Sequence, residues 1–295
     1  MKKSVPGLRA SLLLVAMVSG TVTTARAELM QIEVIPSSTD TRIKAADKPH
    51  IVLFEKGNTT GNLLLWMPGT GGHPKISDKL TFPKFAALKG YRVVLLSYID
   101  DKGISNVCIG RNLKADQDCS AKFRRKRIFG DDTTDLIDDQ PQDAIVNRLV
   151  KLLQYLKENH PNGKWGQYLD HGELNWERIA VGGQSQGGGM AAFIAKEKRV
   201  PRVIMLSGGW DKSAKGEIAT WYSGESATPP DRWYATYHVE ERTAQTMAEI
   251  YHVLGIPPSH VGALDLPVKG PGAHTEALTN SEYKPWWEKA LGQTE

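Results

Sequence analysis

The stretch VGGQSQGGGM, residues 181–190, places a serine between two glycines at matched distance: Gly183-Gln184-Ser185-Gln186-Gly187. A serine hydroxyl is a weak nucleophile until a neighbouring base takes its proton. On a sharp turn from strand to helix its Oγ projects clear of the backbone. Glycines two before and two after relieve the crowding such a turn creates. In a chain with 28 glycines the five-residue pattern decides nothing by itself. Its meaning depends on the elements before and after it.

Those elements alternate strand and helix. The runs HIVLFEKG (50–57) and GNLLLWMPG (61–69) are apolar and separated by turn residues around Asn58, which predicts an antiparallel hairpin. FAALKG suggests a short helix ending at Gly90, and YRVVLLSY (91–98) has the continuous apolar character of a strand buried on both faces. After Pro141, Ile145, Leu149, Leu152, Leu153 and Leu156 fall on one helical face. RIAVGG (178–183) predicts a strand running straight into the serine, and QGGGMAAFIAKEK a tightly packed helix leaving it. Strands are expected again at 202–209 and 233–238. A helix is expected from Ala244 to Leu254, a weak strand at VGALDLP, a glycine-rich loop KGPGAHTE and a terminal helix. This pattern predicts an α/β fold, a mostly parallel central sheet flanked by helices on both faces. Sites in such sheets form beyond the carboxyl ends of the strands, where Ser185 falls.

Residues 99–141 break the alternation. They hold Cys108 and Cys119, the basic run KFRRKR (122–127) and the acidic run DDTTDLIDD (131–139). Without a clear period they read as a long functional loop or cap. The basic run is expected to be solvated and partly paired with the adjacent aspartates. The aspartates lack calcium-loop spacing, and no paired Cys/His spacing predicts a metal site.

The chain starts with a basic stretch, an apolar core and the small-x-small triplet Ala25-Arg26-Ala27. That layout predicts a signal peptide over 1–27 and a single mature domain over 28–295. The apolar run is shorter than the about 20 residues needed to span a bilayer, so no stable membrane insertion is expected once the leader is removed. Of the 37 basic residues, Lys2, Lys3, Arg9 and Arg26 lie in the leader with no acid beside them. Against 33 acidic residues the mature chain is neutral. Neutrality argues against a nucleic-acid partner. In an exported chain, periplasmic or extracellular, two cysteines this close read as a Cys108–Cys119 disulfide.

On the elbow at Ser185, the PGTGG turn (68–72) after a central strand and a late histidine, the chain resembles the α/β-hydrolase superfamily, in particular its compact secreted bacterial serine esterases and lipases. The resemblance covers residues ~50 to 290 and implies a nucleophile–acid–histidine order. It implies Ser185 as nucleophile and His274, in PGAHTE, as base, with His260 as rival; His238 and His252 fall in predicted elements and His73 comes too early. The acid implied is Glu241, three residues past the strand WYATYH, with Glu240 and Asp211 as alternatives. The implied oxyanion hole is the backbone N–H of Gln186 with that of Thr70, or Gly71 in its place. Trp210, Trp221, Tyr222 and Trp233 either wall an acyl or aryl pocket or pack under loops. The implied activity is hydrolysis of small-molecule or lipid-like carboxylic esters without a cofactor. A peptidase, amidase or acyltransferase on the same triad, or an inactive binding protein with the same fold, are the alternatives.

Overall fold

The computed structural model describes Met1, residues 28–74 and residues 81–292; the remainder of the expected leader, 2–27, lies outside the described residues. The chain enters through strand β1 (Leu29–Val34), a short helix α1 (Pro36–Thr39), β2 (His50–Glu55) and β3 (Leu63–Met67), then helix α2 (Thr81–Leu88) and β4 (Arg92–Leu95). Three helices follow, α3 (Ile104–Val107), α4 (Gly110–Ala115) and α5 (Cys119–Phe129), and then the long α6 (Ile145–Asn159). A two-stranded ribbon, β5 (Leu169–Asp170) and β6 (Glu173–Leu174), leads to β7 (Ile179–Gln184) and α7 (Gln186–Glu197). The last third contains β8 (Val203–Leu206), β9 (Trp233–His238), α8 (Ala244–Val253), β10 (Val261–Leu264), α9 (Ala273–Thr279) and α10 (Lys284–Leu291).

Eight strands form one sheet in the order β1-β2-β4-β3-β7-β8-β9-β10. β2 is antiparallel to both its neighbours; every pairing from β4 to β10 is parallel. Side chains alternate between two cores, as a strand period of two requires. Leu63, Leu65 and Met67 face the core built with α5, α6, α7 and α8. Leu64 and Trp66 face the one built with α2, α9 and α10. The fold is therefore the expected α/β sandwich, with helices on both faces of a mostly parallel sheet.

The expected hairpin between 50–57 and 61–69 does not form, because β4 lies between β2 and β3. The turn residue Asn58 reaches elsewhere: its Nδ2 donates to Gly90 O at 2.8 Å and its Oδ1 accepts from Gly61 N–H at 3.0 Å. It thus ties the end of β2 to the turn that starts β4. β3 is buried along its whole length, so it needs a parallel partner on each edge, and β4 and β7 supply them.

The 99–141 segment also differs from a structureless cap, since α3, α4 and α5 occupy much of it. Its disulfide is formed, Cys108 to Cys119, with Cα atoms 5.7 Å apart. The basic run is helical. Lys122 pairs with Asp116, Arg125 with Asp131 and Glu197, and Lys126 with Asp132. Arg124 and Arg127 point inward instead and are buried, Arg127 in a two-pronged pair with Asp139. With Lys126, also buried, three of the cations expected in solvent are therefore interior ones.

His50 opens β2 fully buried, its Nδ1 accepting the Ser97 N–H at 2.9 Å and its Nε2 without a partner. Burial, aided by the Arg148 charge, pushes its pKa down to about 3. A folded-state pKa below the unfolded value of about 6.5 means that the unfolded chain binds the proton first as pH falls. The stability this site contributes is complete above pH about 6.5 and falls by up to about 1.4 kcal/mol per pH unit toward pH 3. Between pH 7 and pH 5 this residue alone should cost about 2 kcal/mol. His50→Asn keeps an acceptor for Ser97, so urea unfolding at the two pH values should show that much less acid sensitivity in the variant.

Candidate active site

Ser185 sits alone between β7, which ends at Gln184, and α7, which begins at Gln186. Its φ of 59° and ψ of −122° lie where side chains are strained. The flanking glycines make the geometry possible. A Cβ on Gly187 would run into the Met67 carbonyl and come within 2.7 Å of Pro68 O. One on Gly183 would lie 2.5 Å from Met67 O. The serine is fixed through its own backbone: Ser185 N–H donates to Leu206 O at 2.9 Å, and Ser185 O accepts from Gly189 N–H at 3.2 Å.

The late histidine meets the expected glutamate. His274 Nδ1 lies 2.6 Å from Glu241 Oε2. The other oxygen of Glu241 accepts from Ser207 Oγ at 2.7 Å and from His238 N–H at 2.8 Å. With its carboxylate accepting, Glu241 fixes the proton on Nδ1 and leaves Nε2 as the basic nitrogen. The Glu241 side chain is 3% exposed and the His274 side chain 41%, so the acid is buried and the imidazole opens to the surface. His274 lies in the first turn of α9 rather than in the expected loop. Its carbonyl accepts from Gln184 Nε2 at 3.0 Å, which ties the histidine to the residue before Ser185. Among the described residues no hydrogen bond joins Ser185 Oγ to His274. The chain entering α9 is held by buried Glu276, which accepts from the N–H groups of Lys269 and Gly270 and from Asn280. Burial raises the Glu276 carboxyl, but the hydrogen bonds from Gly270, Asn280 and Lys269 outweigh it and leave it below its ordinary range.

The alternatives are engaged elsewhere. Glu240 is exposed and only its backbone N–H reaches inward, to His238 Nδ1. Asp211 is buried and gripped by Arg124, which donates from Nε and Nη2 at 2.8 Å each, and by Trp221 Nε1 at 3.1 Å. His260 stacks on Tyr234 and its Nδ1 faces Trp233 O. His252 is exposed on α8, and His73 approaches Asp100 at 3.8 Å.

On the expected oxyanion turn, Gly71 N–H donates to Asp100 O at 2.9 Å, which removes it as a donor. Among the described residues no acceptor takes the N–H of Thr70 or of Gln186. Their side chains meet across the turn, Thr70 Oγ1 to Gln186 Oε1 at 3.4 Å, and Tyr98 OH anchors it by donating to Pro68 O at 2.6 Å.

Thr70, Gly103, Ser185, Gln186 and Trp210 wall a pocket of about 20 Å³ that Arg124 and Asp211 close. A second cleft, of about 530 Å³ between α3, α4 and the loop after β8, shares Ile104, Ser105, Trp210 and Asp211 with it. Of the aromatic residues expected to wall a pocket, Trp210 does, packing its ring 5.5 Å from that of His274. The others do not. Tyr222 and Trp233 are fully buried, and Trp221 stacks on Tyr222 and against Phe193. Three contributors were not read from the sequence. Ser207, in the near-repeat LSGGW, has φ 47° and donates to Glu241; its serine–glycine–glycine pattern was a usable signal. Glu276 stood two residues from the histidine. Arg124 stood in a run whose charge concealed its burial.

No family model and no curated protein matches this sequence. Among solved structures, the chain is similar to a candidate dienelactone hydrolase from Klebsiella pneumoniae subsp. pneumoniae MGH 78578. The identity is 13% and the TM-score 0.47, over 90% of this chain and 98% of that one. It is also similar to an α/β-hydrolase enzyme from a Medee basin deep-sea metagenome library, with 13% identity and TM-score 0.45, over 89% and 98%. The sheet order and the elbow at the end of a central strand make this an α/β-hydrolase fold in its own right.

Removing one partner of a buried ion pair leaves the other charge uncompensated. Asp211→Ala should therefore lower unfolding stability by about 3–5 kcal/mol. Glu240→Ala, at an exposed carboxylate, should stay within about 0.5 kcal/mol of wild type. Denaturant titration of both variants checks the contrast.

Proposed function

We propose that this chain is an exported serine hydrolase that cleaves carboxylic esters through an acyl-enzyme. The observation that carries this reading is the 2.6 Å contact of His274 with a buried glutamate whose other oxygen is already occupied, beside a serine on a strained elbow. In this reading His274 Nε2 takes the Ser185 proton as Oγ attacks the ester carbonyl. The oxygen that gains charge is held by the N–H groups of Thr70 and Gln186. Fixed donors of this kind are worth roughly 3–4 kcal/mol each in comparable sites. His274 then passes its proton to the departing alcohol. Water, deprotonated by the same nitrogen, releases the acid and restores the serine.

The imidazole is held by hydrogen bonding through Nδ1 and its side chain is 41% exposed; in this reading it closes on Ser185 when a substrate binds. Hydrogen bonds of this kind tighten in the substrate complex. The cleft of about 530 Å³ is large enough for most of a small ester and is walled partly by Ile104, Ile109, Leu113 and Trp210. Export is supported by the leader-like start of the sequence and by the disulfide.

Ser185→Ala should abolish turnover of 4-nitrophenyl butyrate and labelling by a fluorophosphonate; retained turnover rejects the nucleophile. Glu241→Gln should keep the fold but lower kcat by about 10³–10⁴, since the imidazolium loses its counter-charge and its tautomer. Protein recovered from a bacterial periplasm or medium should begin at Glu28, as read by intact mass.

A further inference from the structure

The pocket beside Ser185 contains more hydrogen-bond donors than the chain has acceptors for. Arg124 is 2% exposed. Two of its nitrogens are spent on Asp211, and the third, Nη1, is buried without a partner. Gln186 Nε2, in the same pocket, is buried beside the Tyr98 hydroxyl and makes no hydrogen bond of ordinary geometry. Buried donors are normally paired, so two such donors in one pocket mark a place for an acceptor brought from outside the chain. The volume of about 20 Å³ admits a group of about the size of one water.

The kind of acceptor follows from the charges. Arg124 is neutralised by its two-pronged pair with Asp211, and the Gln186 amide is neutral. What remains is hydrogen-bonding capacity without net charge, which suits a hydroxyl, ether or carbonyl oxygen better than a carboxylate. The side of the ester follows from the histidine. His274 must protonate the leaving alcohol, and it borders a different cleft, with Thr243 and Arg242. The small pocket is therefore left to the acyl side. Resting on the serine-hydrolase reading above, we infer that it is an acyl subsite selecting esters whose acid carries a neutral oxygen on its α or β carbon.

The test uses 4-nitrophenyl esters in isosteric pairs, methoxyacetate against butyrate and 3-methoxypropionate against pentanoate. Each kcat/KM is divided by that ester's own hydroxide-catalysed rate, which removes the intrinsic activation by oxygen. In the full-length mature protein the normalised preference for oxygen should reach tenfold or more in at least one pair. Arg124→Lys keeps a cation for Asp211 but loses the planar fork. It should bring that ratio to within about threefold of unity, read between the paired esters within the variant itself. Gln186→Met should lower the same ratio. If both wild-type ratios are near unity while butyrate is hydrolysed and Ser185 is labelled, the pocket holds an ordered water only and this inference is overturned, with the hydrolase reading intact. If no ester turns over and Ser185 is not labelled, both are overturned.

Discussion

The site depends on one close approach of backbone to backbone. The first turn of α7 is pressed onto the end of β3, so that nothing larger than a hydrogen fits at Gly187 beside the Met67 carbonyl. Gly183 meets the same carbonyl from the other side of the turn, and a Cβ on Gly69 would lie 2.8 Å from the Ser185 Cβ. The consequence is geometric. β3 carries both Met67 and the turn with Thr70, so the contact that forces the serine out of the sheet also sets its distance from that turn. The proposed nucleophile and the proposed oxyanion donors are positioned by a single packing constraint, which calls for glycine at both 183 and 187.

The other half of the site hangs on the ends of β8 and β9. Ser207, directly after β8, is like Ser185 a non-glycine residue at positive φ, and it is fully buried. Residues held this way cost of order 1–3 kcal/mol each and persist only where the surroundings over-determine them. Here they do. Ser207 N–H donates to Thr236 O, its Oγ donates to Glu241, and Leu206 O accepts from Ser185 N–H. Glu241 receives the His238 N–H as well, so the carboxylate that faces His274 is positioned by two strands at once.

Much of this was legible because it is local. The strand before Ser185, the strand ending at His238 and the helix from Ala244 to Val253 each follow from apolar spacing over a few residues. The order implied by the resemblance then put forward His274, with His260 as rival, and Glu241, with Glu240 and Asp211 as alternatives; of these the fold brings Glu241 and His274 to 2.6 Å. What stayed hidden is non-local. Apolar content cannot reveal that β4 inserts between β2 and β3, since both runs suit a buried strand in either arrangement. The helices between 104 and 129 were masked by charge. In KFRRKR, Phe123, Arg124 and Arg127 share the inward face, and only the partners Asp211 and Asp139 make an inward arginine tolerable. Those partners lie 87 and 12 residues away, beyond what a local pattern can show.

The three glycines at 187–189 connect the legible part to the hidden part. In a helix interior each is worth about 1 kcal/mol less than alanine, so a run of three is costly. Each answers to a different neighbour. Gly187 admits the end of β3. Gly188 lets the backbone at Gly208 approach, where a Cβ would meet its Cα at 3.2 Å. Gly189 leaves room for Arg124, whose guanidinium carbon would lie 2.7 Å from an added Cβ. The elbow alone accounts for the first. The third is required only because α5 drives an arginine under α7 to reach Asp211. That same arginine closes the small pocket beside Ser185, so the helix that bears the serine is cut to fit the segment that shapes what the serine can meet.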